Sequence, residues 1–165
     1  MIDVATASRL LDFGKRIGPG PRADAQLHGA VAIHNLLATE GVAYLADEVG
    51  MGKTYVALGA LALFRHFQPR FRVLVIAPRE NIQKKWMKEL RNFVTHNVRF
   101  PDLRVKSIDD RPARSLVACN NLLGLVQEAT LDPNRDFFVR LTSFSLSMPW
   151  RDDAERQEAK RLRDG

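Results

Sequence analysis

Short apolar runs and longer stretches of helical period follow one another along this chain. Val42-Ala43-Tyr44-Leu45-Ala46, Phe71–Ala77 and Phe137-Phe138-Val139-Arg140-Leu141-Thr142 are brief and rich in strand formers, and each predicts a strand. The second run is β-branched and nearly continuous, the pattern of a strand covered on both faces in a parallel sheet, and Pro78 stops it. Between the runs the apolar spacing turns helical. Asp24 is placed to cap a helix over 25–39, with Leu27, Val31, Leu36 and Leu37 as its stripe and Glu40-Gly41 as its end. A second helix starts at Gly52 or Lys53 and carries Val56, Ala57, Ala60, Leu61 and Phe64 before Pro69. A third covers 80–93, with Ile82, Trp86, Leu90 and Phe93 on one face and Lys84, Lys85, Lys88 and Arg91 largely elsewhere. Residues 1–13 read as a short helix, and Gly14–Arg22, rich in glycine and proline, as a loop or linker. Arg104–Ile108 and Leu116–Cys119 are candidate short strands. Asn120–Thr130 reads as a helix that Gly124 weakens, and Arg151–Arg163 as a charged helix with few apolar positions. Strands alternating with helices of this length predict an α/β domain, a parallel sheet with helices on both faces. Ligands of such sheets sit beyond the carboxyl ends of the strands, where the glycine loop after Ala46, Pro78 and Ser143 all fall.

Composition narrows the class. A chain of 165 residues, 45% apolar and 27% charged, is long enough for one domain with a real core. No apolar run approaches a membrane span, and Met1–Ala5 has neither the basic start nor the apolar core of an export signal, so a cytoplasmic location is expected. The single cysteine, Cys119, excludes an internal disulfide and a cysteine-rich zinc site, and reads as a small apolar filler.

One loop carries specific chemistry. Asp47-Glu48-Val49-Gly50-Met51-Gly52-Lys53-Thr54 joins the first predicted strand to the second predicted helix. Gly50 and Gly52 let a backbone turn tightly and present N–H groups to phosphate oxygens. Lys53 reaches outer phosphates, the Thr54 hydroxyl ligates magnesium, and the helix that follows adds its positive end. Asp47 stands where the strict pattern has glycine, so this is a relaxed form of the motif. The bland alternative is a glycine turn between strand and helix with Lys53 solvated. The net charge of +6 is concentrated nearby: between Pro69 and Lys106 ten basic residues face three acidic ones. Such a stretch beside a nucleotide site favours a polyanionic partner, against the alternative of a solvated helix face.

With these residues in view, Leu45–Thr54 resembles the first motif of superfamily-two helicases, specifically the Swi/Snf-type DEAD/DEAH ATPases. Ala25-Gln26-Leu27-His28-Gly29-Ala30 is similar to the segment upstream of it in that branch. Val73–Asn81, followed by Trp86 and Glu89, looks like the next motif, and Leu141-Thr142-Ser143-Phe144-Ser145 resembles the later Thr-Ser motif. The resemblance covers about 24–147. It implies a RecA-like P-loop NTPase domain, here incomplete, that binds ATP and Mg2+ and tracks along DNA or RNA, with DNA favoured. Carried over, Gln26 reads adenine, Gly50, Met51, Gly52, Lys53 and Thr54 hold phosphate with Thr54 on the magnesium, and Pro78, Arg79, Lys84 and Ser143 lie near a phosphodiester backbone. The domain division expected is 1–23 as N-terminal helix and linker, 24–150 as a partial ATP-binding domain, and 151–165 as a truncated charged helix.

Two parts of a working ATPase have no counterpart in this sequence. Phosphoryl transfer needs a carboxylate on the magnesium and a group that orients the attacking water. The one apolar run ending in Asp-Glu is Tyr44–Glu48, already the phosphate loop, and Asp109-Asp110 follows the polar run Val105–Ile108. The Asp-Glu-Ala-His motif and second RecA-like domain that the resemblance implies are missing. The chain therefore reads either as the ATP-binding N-terminal piece of a DNA-dependent ATPase or helicase, inactive alone, or as a non-catalytic nucleotide- or nucleic-acid-binding module. The oligomeric state is not readable.

Overall fold

A computed structural model describes residues 1–46, 52–68, 70–102, 116–132 and 134–144. The element order is α1 (Val4–Leu10), α2 (Gly14–Ile17), α3 (Pro21–Glu40), α4 (Lys53–Phe67), β1 (Leu74–Ala77), α5 (Glu80–Asn97), β2 (Leu116–Cys119), α6 (Leu122–Leu131) and β3 (Asp136–Arg140). A 3-10 turn over Leu141–Phe144 follows. The expectations for Arg104–Ile108, Asp109-Asp110 and Arg151–Arg163 lie outside the described residues.

The three strands are parallel and lie in the order β1-β3-β2, with Val75 opposite Phe138 and Ala118 opposite Phe138 on the other side. Strand side chains alternate between faces, and the core divides accordingly. Phe138, Val75 and Leu116 join α1, α3, α4 and α5 in the main core, whose fully buried members include Leu11, Leu63 and Phe93. Phe137, Val139 and Cys119 turn the other way onto Leu125 and Ala129 of α6. Helices thus cover both faces of a small parallel sheet, an architecture compatible with part of a RecA-like domain.

Several local expectations need correction. Val42–Ala46 forms no strand: Val42 and Tyr44 are 70% and 87% exposed, and no described strand pairs with the run. An apolar run becomes a strand only where a free edge meets it. β1 is not covered on both faces, since Leu74 and Ile76 are about half exposed on the α6 side. There an open crevice of about 1010 Å³ lies between Phe71–Leu74 and α6. Helix α3 begins at Pro21 rather than Ala25, because proline suits the first helical position, and Asp24 sits in its first turn instead of capping it. Its buried face is Ala23, Gln26, Ala30, Val31 and His34, while Leu36 points outward. Gly14–Ile17 is a helical turn within the predicted linker. Helix α5 runs on to Asn97, and Leu141-Thr142 belong to the 3-10 turn rather than to β3. Helix α6 is capped by Asn121, whose side-chain oxygen accepts from Gly124 N at 2.7 Å, so Gly124 lies inside a capped first turn.

Residues 1–13 are tied into the main core. Ala7, Leu11 and Phe13 are buried, Asn35 pairs both polar backbone groups of Ile2, and Leu11 bridges antiparallel to Val98. Phe13 also explains a glycine. A Cβ on Gly59 of α4 would stand 2.7 Å from Phe13 Cζ and 2.8 Å from Ala30 Cβ of α3. Close helix approach therefore depends on a missing side chain. Gly59→Ala should lower the unfolding free energy in urea by roughly 1–2 kcal/mol, overpacking outweighing alanine's better helix propensity. A stabilised variant would mean that α3 and α4 are not in such close contact.

Candidate functional site

Two clusters gather the residues that the sequence singled out. The first lies where α3 passes the start of α4. Gly52 caps α4 with φ of +89°, a left-handed conformation that other residues resist. The position its Cβ would take is filled by the amide end of Gln26, which α3 buries to 6% exposure. Gln26 and Gly52, far apart in sequence, therefore meet. The Gly52 carbonyl accepts from Tyr55 N at 2.8 Å and Val56 N at 3.1 Å, closing the first helical turn. No side chain caps this end of α4, and its first turn holds no acidic residue. The start of this 15-residue helix thus carries the positive end of the helix dipole, uncompensated by an acidic residue in its own first turn. Lys53 and Thr54, both partly exposed, stand at that end. These residues fit a phosphate group carrying magnesium. Gly50 and Met51 lie outside the described residues.

The second cluster lies at the carboxyl ends of the strands. Pro78 and Arg79 follow β1 and are exposed, and Arg79 is the extended N-cap residue of α5. Glu80 opens that helix. One of its carboxylate oxygens is 2.5 Å from Lys84 Nζ, and the other is 3.6 Å from Arg140 Nη1. Arg140 ends β3 and donates from Nη2 to the Asn120 carbonyl at 2.9 Å. Ser143 Oγ donates to that same carbonyl at 3.1 Å. A chain of contacts thus links the ends of all three strands, and Pro78, Arg79, Lys84 and Ser143 belong to one rim. The hydrogen bond and charge of Lys84, with Arg140 adding to them, hold the Glu80 carboxyl below the usual carboxylate range.

Sequence reading alone missed Glu80, Asn120 and Arg140. Asn120 directly follows β2 and Arg140 ends β3, so the strand-end rule would have flagged them once the strand bounds were known. It also missed two buried polar centres. Gln83 of α5 is 2% exposed and donates to the carbonyls of Phe138 and Cys119, at 2.5 and 3.3 Å, pinning α5 across β3 and β2. Arg65 of α4 pairs with Asp136 and, at 2.9 Å, with Asp102. Asp136 Oδ1 accepts from Val73 N at 3.1 Å. Cys119 is buried against α6, and burial, with Glu128 nearby, pushes its thiol up, as suits an inert core residue.

Among the described residues no group of three or more His, Cys, Asp or Glu could hold a metal ion, and no helix is long and apolar enough to cross a membrane. Residues 24–140 match the model of a protein family described as the type III restriction enzyme, res subunit. No curated protein and no solved structure matches the chain.

Proposed function

This chain belongs to the type III restriction enzyme res-subunit family, a superfamily-two helicase-like domain, and from that premise we propose that it is the ATP- and nucleic-acid-binding portion of a DNA-dependent ATPase. The observation that carries the reading is the seat of the Gln26 amide against Gly52, at the uncapped start of α4. In this reading Gln26 faces adenine, Gly50, Met51, Gly52 and Lys53 hold the phosphates, and Thr54 ligates magnesium. Pro78, Arg79, Lys84 and Ser143 line the nucleic-acid path. A helix start at Arg79–Glu80 suits that role, since first-turn N–H groups can face a backbone phosphate. DNA is favoured because the family description names a restriction enzyme, whose substrate is DNA. Within the superfamily, the run Asp47–Thr54, the upstream Gln26 and the Ala77-Pro78 turn support the Swi/Snf-type branch.

The 165-residue chain by itself binds ATP with magnesium and does not turn it over. An Asp-Glu pair ending an apolar strand, separate from the phosphate loop, is not found among the 165 residues, so the magnesium would lack the carboxylate that phosphoryl transfer uses. Phosphate release from purified chain, with and without DNA, should stay at background. DNA-stimulated turnover that Lys53→Ala abolishes would overturn this part of the reading.

A further inference from the structure

The strand-end rim presents two cations already bridged by an anion of the chain itself. Glu80 sends one carboxylate oxygen to Lys84 at 2.5 Å and the other to Arg140 at 3.6 Å. Its side chain is half exposed, and those of Lys84 and Arg140 are 72% and 28% exposed. Arg140 is held in place from behind by the Asn120 carbonyl, which Ser143 also engages. A planar carboxylate spanning two cations on an open rim occupies the seat that two oxygens of a phosphodiester would take.

We propose that Glu80 is an internal counter-ion standing in for a nucleic-acid phosphate between Lys84 and Arg140, and that DNA must displace it to engage this rim. The inference rests on the nucleic-acid reading above and adds a restraint to it. While Glu80 bridges the pair, DNA gains little there, because the cations it meets are already neutralised. Fewer bound salt ions are then released, so affinity depends less on salt than the count of basic residues suggests. Exchange of one anion for another at the same seat also makes binding reversible at moderate salt, a property useful to a protein that moves along DNA.

The test is fluorescence anisotropy of a short labelled DNA across a salt series, with circular dichroism to check folding. Glu80→Gln keeps the shape of the side chain and removes its charge. It should bind DNA roughly two- to fivefold more tightly at low salt, the range expected for one exposed ion pair. The slope of log K against log salt should steepen by ~1, for one added phosphate contact. Glu89→Gln makes the same charge change on α5, roughly half a turn round from Glu80, and should move neither quantity. In the double variant Glu80→Gln, Arg140→Gln the gain should vanish. An affinity for Glu80→Gln equal to or below that of the wild type, or an equal gain from Glu89→Gln, overturns the proposal and leaves the nucleic-acid reading standing. Absence of salt-dependent DNA binding by every variant overturns both.

Discussion

Arg65→Met should lower the unfolding free energy by about 3–5 kcal/mol, a loss on the scale of truncating a buried core phenylalanine. The Arg65 side chain is 4% exposed and those of Asp102 and Asp136 are 6% and 0% exposed, so water cannot solvate the carboxylates once the guanidinium is gone. Methionine retains most of the packing of the arginine stem, which isolates the charge effect. Breaking a buried pair from one side is costly because it strands the remaining charge, whatever the pair was worth while intact. Arg99, which pairs with Asp12 at 2.9 Å on the surface, provides the contrast, and Arg99→Met should cost no more than about 1 kcal/mol. Urea unfolding of both variants, followed by circular dichroism, measures the difference. Similar losses for the two would mean that Arg65 is solvated and that α4 is not locked to β3 through Asp136.

Lys53→Ala should weaken binding of ATP with magnesium by roughly ten- to a hundredfold, since a hydrogen bond to a charged group contributes ~1.5–3 kcal/mol. Lys53 stands at the first position of α4, directly after the left-handed Gly52, where on the proposed function a phosphate would meet both the ammonium and the positive end of the helix. Removing the ammonium leaves the helix end in place, so binding should weaken without vanishing. Titration calorimetry of the two proteins reads this directly. Equal affinities would remove the phosphate-loop assignment, and with it the nucleotide half of the proposed function.

Helices α4 and α5 were legible because each carries its period in its own residues, as did the β-rich run at Phe137–Arg140. What failed to read out depended on partners distant in sequence. Val42–Ala46 is as apolar as β3, but apolarity cannot tell whether a sheet edge will be beside it. The buried face of α3 was read only in part: Val31 is buried and Leu27 packs on the core, but Leu36 is exposed, and close approach to α4 brings in Ala30 and the flat amide of Gln26, which periodicity of large apolar residues does not mark. Arg65 stands beside His66 among the basic residues in the last turn of α4, with no acidic neighbour in the chain to mark it. Only the fold brings Asp136, 71 residues further on, to meet it. The candidate site divides in the same way. Gly52, Lys53 and Thr54 form a local motif and could be named from their order. The meeting of Gly52 with Gln26, and the bridge from Glu80 to Arg140, are products of chain topology.

The stitching of the first residues onto the far end of α5 has a consequence for synthesis. Asp12 and Asn97 exchange backbone and side-chain hydrogen bonds at 2.7 and 2.6 Å, and Arg99 donates to the carbonyls of Leu10 and Ser8. These bonds must therefore wait for partners made 85 or more residues later. At ordinary elongation rates that delay is roughly five to fifteen seconds, far longer than a helix needs to form. Throughout it Phe13 has Gly59 of α4 beside it but not the Phe93 ring, and Leu11 lacks its bridge to Val98. Until Val98 emerges and Leu11 closes against it, this apolar segment of the nascent chain is only partly covered.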